Sequence, residues 1–275
     1  MSNADENVVA GFGDEWERFD QSELADEELT RYFEAYFSVF PWAEIPSDAV
    51  GFDLGCGSGR WAKKVAPRVG KLHLIDPSDA IEVAKRNLAG ADNCVFHRAE
   101  VASIPSEVSE CDFGYSLGVL HHIPDTLAGM RSCVERLKVG APFLVYLYYR
   151  FDNRPFWFRA IWKTTDIFRR LISRLPHSLR YLLSQILALT IYWPLARTAY
   201  LLEKLGMKVD LIPLSQYRHS SFYTMRTDAL DRFGTQLEKR FTKDEITAMM
   251  LNAGLENIRF ADTQFWTAVG FKKKL

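Results

Sequence analysis

The stretch Asp53-Leu54-Gly55-Cys56-Gly57-Ser58-Gly59 constrains this chain more than any other. Glycine stands at every second position, and an acid precedes the first glycine. Ala49-Val50-Gly51-Phe52, just before it, suits a short buried strand. Arg60-Trp61-Ala62-Lys63-Lys64-Val65-Ala66, just after it, suits a helix. A strand, a glycine-rich turn and a helix let a ligand lie directly on the backbone, because glycine lacks the Cβ that would block the approach.

A dinucleotide fingerprint, GxGxxG, needs its third glycine where the helix packs on the strand. Counted from Gly55, that position is Arg60. Asp53 would also repel a pyrophosphate, whereas it would hold a cation. The expected ligand is therefore positive near this turn. S-adenosylmethionine, with its ammonium and sulfonium groups, meets that requirement.

The order of the following segments narrows the reading. A second strand, Lys71-Leu72-His73-Leu74-Ile75, ends in Asp76-Pro77-Ser78. An acid at this strand end, about 20 residues past the turn, can accept both hydroxyls of a ribose. A third strand, Cys94 to Arg98, leads to Glu100-Val101-Ala102-Ser103-Ile104-Pro105. A fourth, Asp112 to Leu117, runs into Gly118-Val119-Leu120-His121-His122-Ile123-Pro124-Asp125. With DLGCGSG, LIDPS, AEVASIP and SLGVLHHIPD in this order, the chain resembles the class I S-adenosylmethionine-dependent methyltransferases. The branch is the one that contains the ubiquinone and menaquinone biosynthesis methyltransferases. The resemblance runs over residues 49–149 and 241–272, and it leaves out the middle of the chain.

The resemblance implies S-adenosylmethionine as cofactor and S-adenosylhomocysteine as product. It places Asp53, Gly55 and Gly57 at the methionine end, together with Leu117 and Gly118. It places Asp76 and the adjoining Pro77 at the ribose. Glu100 takes the acidic position near the adenine amine, with the Val101 backbone beside it; Glu is longer than the Asp usual in this branch.

Methyl transfer from a sulfonium requires alignment and exclusion of water more than covalent help. A hydroxyl acceptor gains further from a general base. His121 and His122 follow the fourth strand at the edge where an acceptor must approach, and a histidine there can serve as that base. Adjacent residues point apart, so at most one of the two is expected to face the substrate. Tyr149 ends the fifth strand at the same edge, between Tyr148 and Arg150. The expected reaction is methylation of an oxygen on a small-molecule or lipid-linked acceptor. The alternatives are carbon methylation of a quinone-like or other ring, and a non-catalytic S-adenosylmethionine-binding protein.

At 275 residues, with 48% hydrophobic content and a net charge of −1, the chain has globular composition and suits one elaborated domain. Cys56, Cys94, Cys111 and Cys133 show no CxxC or other zinc spacing, so reduced thiols and no metal site are expected. The N-terminal stretch is acidic and lacks an apolar core, which argues against a signal peptide and for a cytoplasmic protein.

The near-zero charge hides an asymmetry. Residues 1–49 hold thirteen acids and two arginines, while residues 151–240 hold fifteen Lys/Arg and seven acids. Residues 1–48 are expected to form an acidic helical lid, with Trp16 and Phe19 over the cofactor. Residues 49–150 and 241–275 should form a Rossmann-like core of the α/β class. Its sheet should be seven-stranded and mostly parallel, with helices on both faces. Residues 151–240 read as a basic, aromatic-rich helical cap whose Tyr217, Arg218, His219 and Tyr223 are candidates to meet an acceptor. The apolar run Leu182 to Ala196 is shorter than the ~20 residues a spanning helix needs, and it is expected as a buried cap helix. The rival reading is peripheral contact through residues 151–215 with the inner face of a membrane. Nucleic acid is not expected, since no recognised binding motif accompanies the basic charge.

Overall fold

The strand signals become one sheet in the computed structural model of the chain, which describes residues 2–152, 154–263 and 266–274. Its strands are β1 (Val50–Leu54), β2 (Lys71–Ile75), β3 (Cys94–His97), β4 (Phe113–Leu117), β5 (Pro142–Tyr146), β6 (Leu255–Phe260) and β7 (Thr267–Lys272). They lie in the order β3-β2-β1-β4-β5-β7-β6, seven strands in all. The first five pair in parallel, and β7 runs antiparallel to β5 and β6. The last strand was expected to begin at Phe265, which lies outside the described residues. Every position of β4 and β5 is buried, as befits parallel strands covered on both faces. Strand order reverses between β1 and β4, so the loops after these two strands diverge and open a crevice at the carboxyl edge.

Two glycines hold β1 against β4. Gly51 is the register partner of Phe113, and Phe52 that of Gly114. Each ring lies over the glycine across from it. A Cβ at Gly51 would stand 2.1 Å from the Phe113 ring, and one at Gly114 2.3 Å from the Phe52 ring. Phe52 and Phe113 are both wholly buried.

The helices are α1 (Glu6–Arg18), α2 (Asp26–Tyr36), α3 (Ala62–Val65), α4 (Ala80–Asn87), α5 (Thr126–Glu135), α6 (Phe156–Ile172), α7 (His177–Leu187), α8 (Trp193–Lys204), α9 (Phe222–Gly234) and α10 (Lys243–Asn252). Side chains cap several of them. Asp5 accepts from the Asn7 and Val8 amides to start α1, and Asp125 accepts from Ala128 to start α5. Thr242 and Glu245 form the capping box that the sequence predicts for α10. Gly254 then turns the chain with φ +91°. Aromatic residues of α2 and of the turn after it are core: Phe33, Phe37 and Phe40 are buried, and Phe37 meets the Tyr115 ring at 5.3 Å.

The chain divides into two compact units. The first comprises residues 1–22, 29–150 and 237–275, and the second residues 23–28 and 151–236. The second has its own core, in which Ala188, Tyr192 and Ala196 pack on Met225, Ala229 and Phe233 of α9. Residues 182–196 run through the end of α7, one turn of π-helix (Ala188–Tyr192) and the start of α8. Burial there is confined to Ser184, Ala188, Tyr192 and Ala196. Leu182, Ile186, Leu189 and Ile191 stand in solvent, so the expected buried helix buries only its narrow face. Among the described residues, no helix is long and apolar enough to cross a membrane.

Candidate functional site

β1 ends by burying an acid. Asp53 is 1% exposed, and its Oδ2 has no hydrogen-bond partner. The Tyr115 hydroxyl lies beside it but outside hydrogen-bond geometry. Burial pushes the Asp53 carboxyl up to about 8; Tyr115 opposes the shift slightly and the neighbouring Asp76 charge adds to it. A sequestered carboxyl lacking a donor is suited to an ammonium group, which brings both charge and hydrogen bonds.

The turn after β1 has the left-handed backbone that its glycines permit, with φ of +75° at Gly55 and +52° at Gly57. Gly57 N–H donates to Asp76 Oδ2 at 3.0 Å. Asp76 Oδ1 accepts from the Ser78 amide at 2.9 Å and the Ser78 hydroxyl at 2.6 Å. Asp76 thus fixes the glycine turn and its own loop. A carboxylate has about four acceptor positions, so capacity for a ribose hydroxyl remains. A Cβ at Gly57 would meet Trp16 Nε1 at 2.9 Å, because α1 lies against the turn. Arg60 is held between Trp16 and Trp61, its guanidinium carbon 5.3 Å and 4.6 Å from the two rings.

A cleft of about 540 Å³ separates α1 from the loops after β2 and β3. Ala10 and Gly13 line one wall; Pro77, Ser78 and Glu100 line the other. Glu100 accepts from the Ser2 hydroxyl at 2.7 Å. Asn3 and Asp125 exchange two hydrogen bonds of 2.8 Å. The N-terminal segment is therefore stitched to the segments after β3 and β4. Val101 and Leu117 are buried, and the Cα of Gly118 faces open space. Polar groups that suit a nucleoside surround the cleft, and the orphan carboxyl of Asp53 suits an amino acid moiety. On these two observations the residues fit S-adenosylmethionine.

The segment after β4 makes a short turn, Leu120–His122. His121 is completely buried, and neither ring nitrogen has a hydrogen-bond partner. Its ring lies 3.8 Å from that of Tyr148 and 4.0 Å from that of His122. Burial holds the His121 pKa well below the ordinary histidine range, and the nearby His122 and Arg240 act in the same direction. His121 is thus a neutral imidazole able to accept a proton. His122 bonds through Nδ1 to the Leu237 carbonyl at 2.7 Å and meets the edge of Phe12 at 5.0 Å.

β5 ends at Tyr146, short of the expected Tyr149, and the two ring positions just beyond it part company. Tyr148 packs on His121, whereas Tyr149 lies 5.7 Å from Trp266, because successive side chains of an extended segment point opposite ways. The structure brings Tyr148, rather than Tyr149, to the histidines.

Arg240 also reaches this cluster. Its guanidinium carbon sits 5.0 Å from the Tyr148 ring centroid, and its Nε pairs with Glu238 at 2.8 Å. Neither residue carries a sequence signal, since both lie some 90 residues beyond Tyr148 in an unpatterned link. Tyr148 was legible as a member of β5's end but not as the member that turns inward. Within the second unit, Arg218 and His219 both pair with Glu203 at 2.8 Å.

Residues 52–140 match a family model described as a methyltransferase domain. A ubiquinone biosynthesis O-methyltransferase of Nitrosospira multiformis is 31% identical over 91 residues, 32% of this chain and 38% of that protein. The sterol 4-C-methyltransferase strm-1 of Caenorhabditis elegans is 30% identical over 108 residues, 38% of this chain and 32% of that protein. The chain thus aligns with only about a third of either relative's length. Among solved structures, a protein from Nostoc punctiforme described as a putative O-methyltransferase superposes with a TM-score of 0.51. It is 13% identical, and the match covers 94% of this chain and 60% of that one. A protein from Bordetella parapertussis, described as a possible exported protein, gives 0.50 at 18% identity, over 92% and 71% of the two chains. At such identities the structural likeness concerns the fold.

Proposed function

We propose that this chain, whose residues 52–140 match a methyltransferase-domain model, is a class I S-adenosylmethionine-dependent methyltransferase that moves a methyl group to an oxygen of a small-molecule or lipid-linked acceptor. The observation that carries the reading is Asp53: a buried carboxyl, without a hydrogen-bond partner on Oδ2, at the first glycine of a turn built for close approach.

Asp53 would hold the amino group of the methionine moiety, against the backbone of Gly55 and Gly57. Asp76 would accept from the ribose while it fixes the turn. Pro77 and Glu100 would flank the nucleoside in the cleft. When bound, S-adenosylmethionine supplies a methyl group already activated on a sulfonium. The chain's own contribution is alignment and dryness: α1 screens the turn through Trp16, and Phe12 closes on His122. His121, kept neutral by burial, would take the proton that an acceptor hydroxyl releases. Tyr148 and His122 fix the plane of its ring.

Carbon methylation is the second reading, since one of the two curated relatives is described as a sterol 4-C-methyltransferase. Titration calorimetry with S-adenosylmethionine and with S-adenosylhomocysteine tests the donor assignment. Saturable binding of both is expected, and a folded protein that binds neither overturns it. Transfer of a labelled methyl group, followed by hydrolysis of the product, separates oxygen from carbon as the site of attachment.

A further inference from the structure

Helices α6 and α7 are built inside out. The residues that α6 buries are polar: Asp166 is 9% exposed and Arg169 4%. Those that α7 buries are Arg180 and Ser184. The inward arginines have a clear task. Arg169 Nη1 donates to the Thr235 carbonyl at 2.8 Å, and Arg180 Nη1 to the Gly234 carbonyl at 2.7 Å. Both cap the carboxyl end of α9, whose last carbonyls have no helical donor and favour a cation. Arg169 is itself neutralised by Asp166 at 2.6 Å.

The outward faces are apolar. Trp157, Ile161, Phe168 and Leu171 of α6 stand in solvent, and Leu171 is 59% exposed. Leu179, Leu182 and Ile186 of α7 do the same, and the exposure continues through Trp193 and Leu201 of α8. Isolated exposed hydrophobics are ordinary on a soluble surface. Two successive helices that turn large apolar side chains out and arginines in, followed by a third that buries only Ala196 and Ala199 and leaves Trp193 and Leu201 exposed, are not.

Charge identifies the occupant. Between Phe156 and Leu202 the only acid is Asp166, against seven Lys/Arg. Asp166 is already paired with Arg169 and Arg170. Arg159 and Lys163, on the flank of the apolar stripe of α6, and Arg174, just past its end, are exposed. We infer that the outward face of α6, α7 and α8 docks on an anionic lipid surface, with Trp157, Phe168 and Leu171 entering the headgroup boundary while Arg159, Lys163 and Arg174 meet lipid phosphates. Amphipathic helices that carry basic residues beside tryptophan and large aliphatics bind in this way. Such helices lie in the interface rather than cross it, which agrees with the lack of a membrane-spanning helix among the described residues. A second copy of the chain fits less well. A two-fold contact would set this face against itself and bring like charges together.

The inference stands apart from methyl transfer, and the same preparation can report on both. The full-length chain is spun with vesicles of phosphatidylcholine alone and with mixed phosphatidylcholine and phosphatidylglycerol vesicles. Binding to the mixed vesicles is expected, with a blue shift of tryptophan emission and release by salt. Phe168→Ser with Leu171→Ser should lower the vesicle partition coefficient tenfold or more, since each side chain loses most of its burial in lipid. Arg159→Gln, Lys163→Gln and Arg174→Gln should each lower it about fivefold on mixed vesicles only. Circular dichroism and donor binding should be unchanged in all of them, because every substituted side chain is exposed. A wild-type chain that stays in solution with both vesicle types overturns the inference. So does a dimer that the Phe168 and Leu171 substitutions dissociate without any vesicle binding.

Discussion

The His121 imidazole lies against the phenol ring of Tyr148, with centroids 3.8 Å apart and planes tilted by 32°. The contact joins the turn after β4 to the end of β5, and it buries a histidine whose nitrogens have no other polar partner. Arg240 also lies against Tyr148, its guanidinium carbon 5.0 Å from the ring centroid. A ring held this way has one orientation, which is what a positioned base requires.

His121→Ala should therefore lower kcat for an oxygen acceptor by about 10²–10⁴-fold, the usual worth of a general base. Donor affinity should stay near wild type. Because burial depresses the His121 pKa, the imidazole is neutral at physiological pH, and the acidic limb of the rate profile should begin below the ordinary histidine range. A pH-rate profile that bends near an unperturbed histidine value would count against this assignment.

Asp53 gives a second pH dependence, on the same acidic flank but at higher pH. Its carboxyl is raised to about 8, so at neutral pH the free protein holds a proton there. A ligand ammonium displaces that proton. Affinity for S-adenosylhomocysteine should rise with pH by up to about tenfold per unit, then level off near 8, where Asp53 is already ionised in the free protein. Calorimetry in two buffers of different ionisation enthalpy should show proton release on binding at pH 7. Asp53→Asn should weaken binding and flatten the pH dependence.

The His73–His97 pair makes the fold sensitive to acid. His73 Nδ1 and His97 Nε2 are 2.9 Å apart between β2 and β3, and both residues are buried. Burial lowers both pKa values, and for His73 the neighbouring His97 lowers it further. The unfolded chain therefore binds protons that the folded chain excludes, so stability is full above the ordinary value of 6.5 and falls as pH drops below it. Urea midpoints measured across this window should fall more for wild type than for His97→Gln.

How much of this was legible in the sequence depends on the range of the interaction. The sheet could be read because β4 and β5 are continuous apolar runs and the glycine turn names its own neighbours. The capping box of α10 is local and was equally visible. The Tyr148–His121 contact was not, since choosing between Tyr148 and Tyr149 needs the phase at which β5 ends. Nor was Arg240, which arrives from a distant link. The inverted helices were half visible: the apolar stripe of α6 shows in its spacing, but a stripe does not say which side is inward. Arg169 and Arg180 decide that by capping α9.

Gly114→Ala tests the packing of β1 on β4. The added methyl would meet the Phe52 ring, and overpacking of this kind costs about 1–3 kcal/mol. A lowered urea midpoint with an unchanged m-value is expected. Unaltered stability would mean that the ring can move aside.

The same interlock has a consequence for the chemistry. Phe113 over Gly51 and Phe52 over Gly114 act as two dowels between adjacent planks. With both in place, β1 cannot slide along β4 by even one residue. The carboxyl that would anchor the donor and the imidazole that would serve the acceptor grow from the ends of these two strands, at Asp53 and just beyond Leu117. The spacing between the two halves of the reaction is thus gauged in the dry interior of the sheet, away from the mobile solvent and from any ligand.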